Sequence, residues 1–235
     1  MYRLFLTPEW FNGWDIAFNT IGIIIAFLIA AYSWRIYRIN KENRFAYLSL
    51  VFLLIVISLA FGALANGVLY FKPIRDTAAG VLGPVAGERL QFSQLYYRGT
   101  FLIQMASMLA AWLLVFFISQ KPRDRLRKYY EVSQIALYLY LILLISVVSN
   151  FAYFVFYLTS SVLLGLIVLN YYKNYLNTDK NRNAYLVMLS FLFILAGNLF
   201  LVFVFLSNML YVVGQALMLL GFLLLLYTYH KIIKR

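Results

Sequence analysis

Long apolar runs without charged residues recur along the whole chain, and they constrain its fold more than any other feature. Of its 235 residues, 64% are hydrophobic and only 12% are charged, with the charges clustered between the runs. A helix needs about 20 apolar residues, each rising 1.5 Å, to cross the hydrocarbon core of a membrane. The pattern predicts an all-α fold: a polytopic integral membrane protein that forms one domain over residues 1–235.

Seven spans are predicted from these runs. Two uncharged runs, 132–172 and 184–229, are too long for one crossing and have basic clusters at both ends. As a single helix the first would be about 60 Å long, twice the hydrocarbon thickness. Each run is therefore expected to form a hairpin, turning between Ser149 and Ser161 and near residues 206–208. The predicted spans are residues 11–34, 45–70, 99–119, 132–150, 152–172, 184–206 and 209–229.

The basic residues orient these spans. With seven spans, 15 of the 20 Lys and Arg side chains fall on one side, giving net charges of +11 on that side and +1 on the other. Because the positive side faces the cytoplasm, we predict an outer N-terminus and a cytoplasmic C-terminus, in the plasma membrane of a prokaryote. The basic side is expected to meet anionic lipid headgroups. This placement accounts for the net charge of +12, so nucleic acid is not an expected partner.

The two halves of the chain resemble each other. Leu95-Tyr96-x-x-Gly99 at the start of span three matches Leu210-Tyr211-x-x-Gly214 at the start of span seven. The pattern predicts a parallel repeat, with copies at 11–119 and 152–230 and a connector helix at 132–150. Alternatively, Tyr, Lys and Asn recur simply because helices leave the cytoplasmic face there. At a spacing of 138 residues, six further positions recur identically: Tyr37, Asn43, Arg44, Ala46, Tyr47 and Leu48.

This 3+1+3 layout resembles the SWEET and PQ-loop sugar transporters, and more distantly the microbial rhodopsins, in topology alone. The Pro-Gln pair of the PQ-loop family is absent, and all four prolines lie outside span interiors. The retinal-binding lysine of rhodopsins is also missing, since no lysine lies between Asn208 and His230. The resemblance implies one possible function, facilitated transport of a small neutral solute.

The sequence offers little catalytic or metal-binding chemistry. It has no cysteine and a single histidine, His230, which excludes thiolate sites and haem held by paired histidines. No predicted span carries an ionisable residue at depth; Asp15, in the first turns of span one, comes nearest. No nucleophile–base pair, acid pair or glycine-rich phosphate loop is present. We therefore expect no enzymatic activity, no cofactor and no metal.

Neutral polar side chains concentrate in the outer half of the predicted spans. They suggest a shallow pocket that opens outward under the extracellular loop 72–97. Alternatively, the amides are interhelical contacts worth about 0.6 kcal/mol each. The inner halves, such as 23–31, 110–118 and 217–226, are apolar and offer no polar path across the membrane. The candidate pocket residues are Asn19, Asn66, Gln104, Ser107, Asn150, Asn198 and Gln215.

Two functions are consistent with these features. The first is a non-catalytic subunit, scaffold or sensor component that acts through other membrane proteins or a homo-oligomer. The sequence ends just past the last predicted span, so we expect any signal to pass to another protein. The second is the facilitative transporter. A basic cytoplasmic loop is the candidate docking site for partners, although its charge also serves to fix the topology. Its residues are Lys121, Arg123, Arg125, Arg127 and Lys128.

Overall fold

The computed structural model shows a bundle of seven α-helices. It describes residues 8–11, 13–71, 73, 76–77, 92–120, 127–148, 152–178 and 181–233, and this part of the chain contains no strand. A short 3₁₀ helix, Glu9–Phe11, precedes the bundle, and α4 continues as a π-helix over Leu144–Val148. The α-helices are α1 (Trp14–Asn40), α2 (Asn43–Tyr70), α3 (Phe92–Ser119), α4 (Arg127–Leu143), α5 (Tyr153–Asn177), α6 (Arg182–Val202) and α7 (Met209–Ile233).

Six of these helices, α1–α3 and α5–α7, are long and apolar enough to cross a membrane. Only 39–50% of the residues in their most apolar stretches are buried inside the bundle. The outward faces are therefore also apolar, as lipid requires, and the prediction of a multi-pass membrane protein is confirmed. The apolar part of α4, Ile135–Val148, is shorter. The seventh span, the orientation and the repeat stay predictions.

Most predicted boundaries differ from the helix bounds by a few residues, and two of the differences bear on the candidate site. The first span was predicted to begin at residue 11, but α1 begins at Trp14, after a glycine with a positive φ. The third was predicted to begin at residue 99, but α3 begins at Phe92. The last six residues of the predicted loop 72–97 are therefore helical, and most of the rest lies outside the described residues.

The six long helices form a closed ring. α1 packs against α2, α2 against α3, α3 against α5, α5 against α6, α6 against α7, and α7 against α1. The α3–α5 and α7–α1 contacts are the less extensive ones. α4 lies outside this ring along α3, where the hydroxyl of Tyr138 donates to the carbonyl of Ala106 at 3.1 Å.

Contacts at both ends show that α3 and α5 run parallel. The ring of Phe101 lies 4.2 Å from that of Tyr153, and Asn170 Nδ2 donates to Ser119 Oγ at 2.9 Å. The chain between them must therefore travel back along the bundle, which α4 does. We name the end of the bundle at Phe101 and Tyr153 the predicted outer end, and the opposite end the predicted cytoplasmic end.

Large apolar side chains fill the ring between the bundle centre and the predicted cytoplasmic end. The buried apolar residues there come from every ring helix. They include Ile29, Phe52, Ile55, Leu109, Leu164, Ile194 and Phe222.

Glycines bring α6 and α7 into backbone contact. A Cβ added at Gly197 would lie 2.7 Å from the carbonyl oxygen of Gly214 and 2.6 Å from Met218 Cγ. Such close approach at small residues is common between membrane helices, because van der Waals packing, and not the hydrophobic effect, drives their association.

We expect Gly197→Ala to lower the free energy of unfolding in detergent by about 1–3 kcal/mol, because the added methyl overpacks this contact. Gly165→Ala on α5 is the matched control, since a Cβ there meets nothing within 4 Å, and alanine should stabilise the helix by about 0.5–1 kcal/mol. Thermal unfolding followed by tryptophan fluorescence measures both. Equal midpoints for the two variants would contradict the glycine contact.

Candidate functional site

A cavity lies inside the ring, on the side of the predicted outer end, and all six ring helices line it. The cavity volume is about 40 Å³. On the same measure, one water molecule needs roughly 10–15 Å³. The cavity is therefore large enough for about three waters or one very small solute. Its lining residues are Asn19, Leu59, Gly62, Ala65, Asn66, Gln104, Met108, Tyr153, Phe156, Tyr157, Asn198, Tyr211, Gln215 and Met218.

Five of the seven candidate pocket residues line this cavity: Asn19, Asn66, Gln104, Asn198 and Gln215, one from each of α1, α2, α3, α6 and α7. The structure does not bring Ser107 to it. On α3 the cavity face carries Gln104 and Met108, which are four residues apart, while Ser107 is rotated from Met108 by about 100°. Asn150 lies outside the described residues.

Three of the five amides make no hydrogen bond that would hold helices together. The side chains of Asn19, Gln104 and Gln215 bond to no other residue in the described part of the chain, and their polar atoms are not sealed from the cavity. Their donors and acceptors are thus available to whatever the cavity contains.

The other two amides are engaged. Asn66 Nδ2 donates to Asp15 Oδ2 at 2.7 Å and so joins α2 to α1. Asn198 Nδ2 donates to the carbonyl of Ile194 on its own helix at 3.0 Å and lies 3.6 Å from Met218 Sδ. The side chain of Asn66 therefore forms a hydrogen bond between helices, as the alternative prediction requires. The side chain of Asn198 makes only a long contact with another helix.

Aromatic rings and thioethers form another part of the cavity wall. Tyr153, Phe156 and Tyr157 come from α5, and Met108 and Met218 come from α3 and α7. The rings of Tyr153 and Tyr157 lie 6.4 Å apart and nearly parallel. Sequence reasoning missed this wall because tyrosines near span ends look like interfacial anchors. The four-residue spacing of Tyr153 and Tyr157, which places both on one helix face, was the available signal.

Asp15 is more deeply buried than the sequence indicated. Its side chain is 1% exposed, and the backbone N–H of Ile16 donates to Oδ1 at 2.8 Å. It sits in the first turn of α1, where the helix dipole favours a negative charge. The carboxylate lies behind Asn66 and does not line the cavity, and none of the described lining residues is charged.

The predicted docking loop is described only at its end. Arg127 and Lys128 form the first turn of α4, while Lys121, Arg123 and Arg125 lie outside the described residues. Within the described ranges, no three histidine, aspartate or glutamate side chains lie together as a metal site would need.

We expect Asn66→Leu to destabilise the protein by about 1.5–3 kcal/mol, because the buried carboxylate of Asp15 loses a donor. Asn170→Leu is the control, since it removes a neutral interhelical bond worth about 0.6 kcal/mol. Thermal unfolding in detergent distinguishes the two losses. Equal shifts in the unfolding midpoint would show that the carboxylate does not depend on Asn66.

Comparison with known proteins adds no relative to this description: no family model, no curated protein and no solved structure matches the chain.

Proposed function

We propose that this protein is a non-catalytic membrane component, of the sensor or subunit type, which binds a small uncharged polar molecule in the cavity and acts through partner proteins. One observation carries the proposal. The amides of Asn19, Gln104 and Gln215 converge from three helices on a cavity and keep their hydrogen-bonding groups unused. Ligand sites combine a largely apolar lining with a few convergent polar groups of this kind.

The chemistry of the lining supports an uncharged ligand. An amide offers both a donor and an acceptor, so three amides can match a molecule that carries hydroxyl, carbonyl or amide groups on one edge. The rings of Tyr153, Phe156 and Tyr157 offer an apolar surface to its other edge. A charged ligand would have no counter-charge among the described lining residues, and its desolvation would be costly.

Packing below the cavity supports binding in preference to passage. Ile29, Phe52, Leu109 and Phe222 are buried between the cavity and the predicted cytoplasmic end. A ligand that enters the cavity therefore meets large buried apolar side chains below it. Its effect would pass to the other end through helix movement and reach partners at the basic loop 121–128.

The proposed orientation has support in the distribution of charge. Among the described residues, the predicted outer end carries a single basic side chain, Arg98. The predicted cytoplasmic end carries Arg35, Arg38, Lys41, Arg44, Lys173, Arg182, Lys231 and the start of α4. Under the positive-inside rule, the cavity lies in the outer half of the membrane.

A second candidate, facilitated transport of a small neutral solute, is favoured by the ring itself. The triplets α1–α3 and α5–α7 each pack in sequence and meet each other at α3–α5 and α7–α1. In addition, α3 and α5 run parallel, and α4 returns between them. This geometry is expected of a 3+1+3 repeat with seven crossings. The filled ring below the cavity makes this the weaker candidate.

We expect a small neutral hydrogen-bonding compound, from a panel of polyols, amides and ureas, to raise the unfolding temperature, while acetate and choline have no effect. Saturation at 100 times the dissociation constant stabilises a folded state by about 2.7 kcal/mol. Gln104→Leu and Gln215→Leu should abolish the shift without lowering the basal stability, because neither amide bonds to the described protein. Asn170→Leu, away from the cavity, should keep the shift. A shift that survives in both glutamine variants would place the ligand elsewhere.

The partner part of the proposal predicts that gentle-detergent purification from native membranes yields stoichiometric partners, identified by mass spectrometry. Changing Lys121, Arg123 and Arg125 to glutamine should remove them, because the docking charge is lost. Purification of the protein alone, together with solute flux in liposomes, would favour the transporter.

A further inference from the structure

The short helix Glu9–Phe11 packs beside the cavity, where α1 and α7 meet. Phe11 is only 3% exposed, and its ring meets that of Tyr211 at 6.0 Å and that of Phe18 at 5.6 Å, both edge to face. Tyr211 is the lining residue of α7 nearest the predicted outer end. Phe11 therefore bridges α1 and α7 next to the outermost cavity residue of α7.

The attachment of this short helix differs from that of α1. Its described backbone hydrogen bond, from Phe11 N to Pro8 O at 3.0 Å, lies within the segment itself. The first turn of α1, by contrast, is tied to α2 through Asp15 and Asn66. Removing the Phe11 ring from both Tyr211 and Phe18 would thus loosen the segment while α1 stays tied to α2.

Gly13 supplies the joint between the two. Its φ of +93° lies in the left-handed region that L side chains rarely adopt, and a Cβ there would meet nothing within 4 Å. A side chain would have room at Gly13, so the backbone conformation is what favours glycine there.

We propose that the short helix Glu9–Phe11 is a gate, with Phe11 as its closing side chain and Gly13 as its hinge, which controls entry to the cavity from the predicted outer end. The proposal rests on the proposed function, in that the cavity receives a solute. Phe11 would thereby set the rate at which solutes enter, while the amides set what is bound.

The absence of cysteine from the chain permits a direct test. Gln104→Cys places a single thiol in the cavity, on a helix remote from the gate, and its reaction with a small methanethiosulfonate reagent is followed by mass spectrometry in nanodiscs. Adding Phe11→Ala should raise the labelling rate roughly two- to tenfold, as loss of aromatic contacts allows. Gly13→Ala should also raise it, because alanine disfavours the closed conformation. Trp14→Ala, which removes a 59% exposed ring at the same level, should leave the rate unchanged.

The outcomes separate the gate from the cavity. Equal labelling rates with Phe11 and with alanine would overturn the gate and leave the ligand site intact. If the thiol never reacts while a Trp14→Cys thiol does, the cavity is closed to solutes from outside, and both the gate and the proposed function fail. Should Phe11→Ala not fold, Phe11→Leu keeps an apolar side chain without the ring and must still accelerate labelling.

Discussion

Hydrocarbon offers no hydrogen-bond partner, so every polar group placed among these helices must find one inside the protein or in trapped water. Several hydroxyl side chains meet this demand locally. Ser146, Ser190 and Thr228 each donate to the carbonyl four residues earlier on the same helix, at 2.6–2.8 Å. Amides are too rich in donors and acceptors to be satisfied that way. They turn towards the centre of the ring, and the cavity lies where they converge.

The position of the cavity along the bundle follows from the same demand. Towards the predicted cytoplasmic end, the ring interior has apolar side chains from all six helices, and these interlock. Towards the predicted outer end, amides replace them on five helices. Met108 and Met218 line the cavity on the side of the apolar packing, where flexible thioethers can fill irregular space. The cavity thus ends where amide side chains give way to apolar side chains along the bundle.

Much of this could be predicted from the sequence, since helix existence depends on local composition. Counting residues from the flanking charges also placed Asn19, Gln104 and Gln215 at similar depth, on separate helices. The burial of Asp15 could not be predicted in the same way, because its partner Asn66 lies 51 residues away on another helix. The aromatic wall of α5 could not be predicted, because a tyrosine near the end of a span can either anchor the helix at the membrane interface or pack inside the bundle. The packing of Phe11 on Tyr211 joins the two ends of the chain, and no local pattern indicates such a contact.

The ring has two kinds of joint, and this gives the molecule a mechanical anisotropy. Within each triplet the contacts are extensive, and between α6 and α7 the backbones touch. The α3–α5 and α7–α1 contacts are thinner and lie on opposite sides of the cavity. The bundle therefore consists of two closely packed shells, α1–α3 and α5–α7, joined along two seams with less contact. We therefore expect a change in the volume of the cavity contents to be accommodated first at the seams.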